Sequence, residues 1–208
     1  MPTAVVFALL LLSLGLALAL RPWRLLRQAA LLTPLLACLV VLPWLWALPR
    51  LHAMPVQLQL SGAVLATLCL GWPLAVPTLV LVALIADLLA PQPLTDMLGQ
   101  AFYLGVLPAS LALGLGAVLR RCLPMHPFVY ILGRGFLGAA LCMFAARLAM
   151  TLLEPPAMNV GTGLSLVAQW LMAWGDAFLT GLITAILVAF RPQCLATWSD
   201  PLYLRPPA

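Results

Sequence analysis

Lysine is absent from the 208 residues, histidine occurs only twice, and charge of either sign is scarce: 10 arginines stand against 5 carboxylates, 7% of the chain. A soluble domain is about a quarter charged, so a water-exposed surface over most of this chain is excluded. Disorder is excluded too, because the low charge and high apolar content reverse the disordered signature. Paired cysteines are missing as well. Cys38, Cys69, Cys122, Cys142 and Cys194 are scattered without a CxxC pair, three of them inside apolar runs, and read as small apolar fillers.

Catalytic motifs are equally absent. There is no HExxH, no Walker motif and no convincing internal repeat. Ser61-Gly62 follows Gln59-Leu60, so the glycine-flanked serine of an intramembrane serine protease is missing. Asp176 follows Trp174-Gly175, with no second aspartate in a matching setting. With its two histidines in opposite loops, the chain is expected not to be an enzyme, to carry no covalently bound cofactor and to have no nucleic-acid partner.

What is present is apolar: 65% of the chain. Apolar runs fall at about 3–20, 29–49, 57–71, 73–90, 97–119, 128–153 and 165–190. At about 20 residues per crossing of a ~30 Å hydrocarbon core, seven spans take roughly 140 residues and leave no room for a separate catalytic domain. The first run has no positively charged lead-in and is expected to be a retained helix rather than a cleaved signal peptide.

The stretch from Gln57 to Ala90 is too long for one span and short for two, with Gly71-Trp72-Pro73 in its middle. Charge decides the count. With a break at Trp72-Pro73, Arg21, Arg24, Arg27, Arg120, Arg121, Arg191 and Arg205 share one side and only Arg50 lies on the other. Without it, the arginines split nearly evenly. The positive-inside rule prefers the break. The expected architecture is therefore a single all-α integral membrane domain of seven transmembrane helices, with an outside N-terminus, a cytoplasmic C-terminus and a tight hairpin at 71–73.

Polar residues in a bilayer are expensive, so their positions carry information. In this topology Gln57, Gln59, Asp87, Gln100, Tyr103, Arg147 and Gln169 lie toward the outer side, and Asp176 lies near the midplane. Arg134, a few residues in from the cytoplasm, is expected to snorkel outward. The pattern reads as an outward-opening cavity closing near Asp176, with Gln59, Gln100 and Asp176 as candidate substrate-binding residues. His52 and Met54, beside its mouth, are candidate metal ligands. Asp87 and Arg147, at matched depth, are expected to form a structural ion pair. Gly62…Ala66, Gly181…Ala185 and the run Gly133-Arg134-Gly135…Gly138-Ala139-Ala140 mark faces smooth enough for close helix packing.

Four segments resemble a known family. Leu58-Gln59-Leu60-Ser61-Gly62-Ala63 and Leu70-Gly71-Trp72-Pro73-Leu74-Ala75 are similar to a stretch of the CbiM-type permeases. The run Phe128 to Ala140 resembles that family's glycine-bearing sixth span, and Gly175-Asp176-Ala177-Phe178-Leu179-Thr180-Gly181 its last-span motif, with Asp in place of Glu. These permeases are the membrane substrate-capture subunits of energy-coupling-factor ABC transporters for cobalt and nickel. The resemblance, over about residues 55 to 192, implies a multi-pass subunit of a bacterial plasma (inner) membrane. It also implies a transmembrane coupling subunit and cytoplasmic ATPase subunits as partners, and a transition metal ion as substrate. Two positions depart from the pattern: the family's N-terminal Met-His is Met1-Pro2-Thr3 here, and its binding-site histidine aligns with Gln59. An amide is a far weaker ligand for nickel or cobalt than imidazole, which leaves the cargo open. It also leaves open a second reading, an accessory membrane scaffold without metal capture.

Overall fold

The computed structural model describes residues 3–27, 29–52, 59–124, 126–153, 162–199 and 203, with the backbone alone for Arg27 and residues 162–165. Every regular element among them is helical. Lipid offers no partner for backbone N–H and C=O, and a helix satisfies its own.

Helix α1 spans Thr3–Ala19. Tight 3-10 turns at Pro22–Arg27 and Ala29–Leu31 lead into α2, Leu32–Leu51. A short α3, Ala63–Leu70, meets α4, Trp72–Leu89, across Gly71. Helix α5, Leu94–Gly99, continues through a π-helical stretch Gln100–Val106 into α6, Leu107–Cys122. A second π-helical stretch, Val129–Leu137, leads into α7, Gly138–Leu153, and α8 is Thr162–Phe190. Among the described residues, five helical rods are long and apolar enough to cross a membrane: Ala29–Leu51, Trp72–Leu89, Leu94–Cys122, Val129–Leu153 and Leu166–Phe190. The apolar α1 is shorter, at 17 residues.

The expected hairpin at 71–73 is present. Gly71 has φ +74°, a conformation that L side chains rarely adopt, and Pro73 sits in the first turn of α4 where its missing N–H costs nothing. The run at 57–71 differs from expectation. It is helical only over Ala63–Leu70, and eight residues rise roughly 12 Å, well under the thickness of the hydrocarbon core. Residues 59–62 precede it as non-helical chain, ending at Gly62 with φ +65°.

Many of the fully buried side chains are small, and many large ones face out, although Trp46, Tyr130, Leu70 and Leu79 are buried as well. Ala17, Ala47, Ala63, Ala66, Ala75, Ala86, Ala109, Ala139, Ala146, Ala173 and Ala177 are all fully buried, whereas Leu88, Leu152 and Phe190 are 81%, 72% and 78% exposed. That inversion suits lipid, where close backbone approach drives packing and outward leucine meets a solvent as apolar as itself. Helix α4 is central, contacting α1 and α2 as well as α3 and the Gln100–Val106 stretch, while α7 packs on α6 and α8. The small-residue faces serve this packing. An added methyl at Gly135 would meet Thr184 at 3.1 Å, and one at Gly181 would meet Phe136 at 3.0 Å.

The chain beyond α8 folds back at the arginine-rich end. Leu195, Trp198 and Tyr203 pack with Tyr130, Leu68, Leu70 and Leu74 into a second apolar cluster. Tyr130 stands edge-on to both Trp198 and Tyr203.

Candidate functional site

The non-helical segment 59–62 lies among helices, so each of its backbone groups needs a partner. Asp176, from the middle of α8, supplies two. Its carboxylate accepts the Ser61 N–H at 2.7 Å through Oδ2 and the Gly62 N–H at 3.1 Å through Oδ1. A carboxylate suits the N-terminal end of a helix, where the backbone dipoles leave partial positive charge. The Ser61 carbonyl accepts the Trp46 indole N–H at 3.0 Å. The Gln59 carbonyl accepts from the Arg147 guanidinium.

Ser61 closes another gap. Its hydroxyl donates to the Leu104 carbonyl at 2.5 Å and accepts the Ala63 N–H at 3.0 Å. Four residues on from Leu104 stands Pro108. Proline has no N–H, so the backbone ladder is interrupted where the π-helical stretch passes into α6, and beside that gap the Ser61 hydroxyl bonds the Leu104 carbonyl.

The far end of α3 is also held from outside the helix. Ala196 N–H donates to the Cys69 carbonyl at 2.9 Å, and the Thr197 hydroxyl to the Leu68 carbonyl at 2.8 Å. An eight-residue helix has few internal hydrogen bonds and unsatisfied groups at both ends. Here α8 and its trailing segment satisfy groups at each.

Gln59 and Gln100, both expected to bind substrate, converge on one atom. Their side-chain amides donate to the Trp46 carbonyl at 3.1 and 3.2 Å. Gln100 also accepts from Arg50 at 3.2 Å and from the Gln92 amide at 3.0 Å. Helix α2 carries Pro43 and Pro49, which free the Leu39 and Leu45 carbonyls four residues before them; the side-chain amides reach the Trp46 carbonyl between the two prolines. Gln59, Gln100 and Asp176 thus belong to one network, joined through Trp46 and Ser61. Gln59, Trp46, Ser61 and Asp176 are all buried.

The expected Asp87–Arg147 pair gives way to two other associations. Asp87 accepts the Gln92 N–H at 3.1 Å, and its charge acts on Arg50. Arg147 holds the Gln59 carbonyl, and its charge acts on Asp176. Matched depth is not enough to pair two residues, because direction around the helix axis also decides which neighbour a side chain meets.

His52 is exposed at the end of α2, with Nδ1 3.2 Å from the Leu48 carbonyl of its own helix. Met54 lies outside the described residues. Among the described residues no three His, Cys, Asp or Glu side chains gather as a metal site. Arg134 is buried rather than snorkelling, at 8% exposure. The sequence reading missed Trp46, Ser61, Arg50 and Gln92 as members of the network. Pro108 was the available signal, since its missing N–H interrupts the backbone ladder beside Leu104, the carbonyl that Ser61 bonds.

No protein-family model, curated protein or solved structure matches this chain.

Proposed function

We propose that the chain is the membrane capture subunit of an energy-coupling-factor-like ABC importer in a bacterial inner membrane. In this reading it crosses seven times, the five long rods being joined by α1 and by the broken segment 59–70. The arginine-rich end faces the cytoplasm, as the positive-inside rule requires. Ligand enters from the opposite side, and a coupling subunit and ATPases supply the energy.

One observation carries the reading: a short helix inside the bundle entered through non-helical residues 59–62, which are held by Asp176, Trp46 and Arg147. Unwound backbone is tolerated at membrane depth where protein buries it or where it lines a cavity, and helices interrupted by unwound backbone form substrate sites in many transporters. Opening this segment exposes backbone groups, Gln59, Gln100 and Asp176 together.

The donor set favours a metal complex over a bare ion. Two guanidinium groups, Arg50 and Arg147, belong to the network, and a free cation beside them is repelled at low dielectric. An anionic or neutral complex is not.

Titration calorimetry on the purified chain, with nickel, cobalt, zinc and copper each as free ion and as citrate complex, tests this. The reading expects a complex to bind, and Gln59→Ala or Gln100→Ala to weaken it by roughly tenfold, the value of one lost interaction of about 1.4 kcal/mol. Absence of binding by every probe, or affinity unchanged in both variants, overturns it.

A second reading, an accessory scaffold without capture, is favoured by the internal satisfaction of the network: both Asp176 oxygens already accept from the chain itself. A stable membrane partner without ATPases supports that reading.

A further inference from the structure

Helix α3 is tied at both ends to α8 and the chain that follows it. At its entrance Asp176 accepts the Ser61 and Gly62 N–H groups. At its exit the segment 192–199 folds back. The Ala196 N–H donates to the Cys69 carbonyl at 2.9 Å, and the Thr197 N–H and hydroxyl both donate to the Leu68 carbonyl, at 3.3 and 2.8 Å. The Thr197 hydroxyl has one proton, already given to Leu68, so it accepts from the Tyr130 hydroxyl at 2.7 Å. Trp198 and Tyr203, stacked at 4.6 Å, both meet the Tyr130 ring edge-on. Ala196 also packs on the turn at Gly71, 3.7 Å from where a β-carbon would stand.

A helix this short depends on such ties. Its eight residues make only about four internal hydrogen bonds, and isolated helices below roughly 12–15 residues are marginal even in favourable sequences. Two turns form and melt as one unit, because losing one end takes the helix back to its costly nucleus. Gly62 and Gly71, the glycines with positive φ among the described residues, bound it on either side. Glycine accepts changes of backbone angle that other residues resist. On its outer side the segment 192–199 borders a cleft of about 500 Å³, lined in part by Ala29, Ala30, Gln193 and Ser199, which gives it room to lift.

We propose that residues 192–199 are a latch on α3. Docked, as in this structure, the latch satisfies the Leu68 and Cys69 carbonyls and keeps the helix wound up to Gly62, where Asp176 finds its two donors. Lifted, it leaves the carbonyls of two buried residues without these donors. Helix α3 then loosens as a unit between its glycines, and residues 59–62 loosen with it. The latch at the arginine-rich end thereby controls the network at Asp176, roughly 12 Å away along α3. Coupling between two sites is reciprocal, so loosening at Asp176 also loosens the latch. The device goes beyond the capture reading and holds whatever residues 59–62 bind.

Hydrogen–deuterium exchange of the full chain in neutral detergent, read by mass spectrometry, tests the latch without any ligand, so failure of the capture reading leaves the result intact. Thr197→Val removes one hydrogen bond to Leu68 and the acceptor of Tyr130, and Trp198→Ala removes the aromatic closure. Each is expected to raise exchange at the Ser61 and Gly62 amides roughly tenfold, the change in open population that one lost hydrogen bond brings. Amides of α6 keep the wild-type rate. Asp176→Asn is expected to raise exchange at the Ala196 and Thr197 amides in return. Thr197→Val is close to isosteric and keeps the test valid if Trp198→Ala fails to fold. Wild-type protection of Ser61 and Gly62 in every latch variant that folds overturns the proposal, as does wild-type protection of Ala196 and Thr197 in Asp176→Asn. Exchange that rises as much in α6 as at Ser61 and Gly62 also overturns it, because the loosening is then general.

Discussion

Asp176 and Ser61, 115 residues apart, meet at 2.7 Å, where a carboxylate in the middle of one long helix accepts the backbone N–H leading into a short one. With the Gly62 N–H as its second donor, this side chain fixes where the broken segment turns into helix. Removing it leaves two N–H groups without an acceptor away from water.

Asp176→Ala is therefore expected to destabilise the chain by about 2–6 kcal/mol, at roughly 1–3 kcal/mol for each of the two orphaned buried donors. Asp176→Asn keeps one carbonyl acceptor and should lose less. Thermal unfolding in detergent orders the three proteins. Melting of Asp176→Ala at the wild-type temperature contradicts the capping role.

Ser61 and Pro108 should be coupled. Ser61→Ala strips the Leu104 carbonyl of its hydroxyl donor, at a cost of about 1–3 kcal/mol. Pro108→Ala returns a backbone N–H four residues on, so the Ser61→Ala penalty should shrink in that background. A double-mutant cycle with no coupling between the two positions refutes the compensation.

Gly62→Ala faces two obstacles. Its φ of +65° costs an L residue about 1–2 kcal/mol. The new methyl would also stand 2.6 Å from Leu42 Cδ2. Shortening Leu42 to alanine should relieve the contact and leave the backbone strain. The expected result is a Gly62→Ala penalty that falls, without vanishing, in the Leu42→Ala background.

Cys122 is exposed just past Arg120 and Arg121, whereas Cys69 and Cys142 are buried. In the proposed orientation an impermeant maleimide should label Cys122 in inside-out vesicles and spare it in right-side-out ones, with Cys38 and Cys194 replaced by serine. The reverse pattern inverts the topology.

The fold was legible wherever local chemistry decided it. Gly71-Trp72-Pro73 marked a real hairpin because glycine and proline act on their own backbone, and the apolar runs marked the long rods because helix is the one open conformation that lipid permits. The break at Gly62 was hidden. Glycine four residues before Ala66 reads as a packing face, and its left-handed backbone depends on Asp176, more than a hundred residues away. Gln59, Gln100 and Asp176 were recognisable as polar residues in apolar runs, but what links them, the Trp46 carbonyl for the two glutamines and the Ser61 backbone for Asp176, belongs to the main chain and leaves no mark on side-chain composition. Arg147 was given the wrong neighbour, since depth is one coordinate and direction around the helix is another.

Purification of the tagged full chain from its own membranes in mild detergent tests the capture-subunit proposal most directly. The account predicts that one polytopic coupling subunit and an ATPase pair co-purify in fixed ratio, and that ATP hydrolysis by the complex responds to the ligand found by calorimetry. Recovery of the intact chain alone, or with a membrane partner and no ATPase, contradicts it.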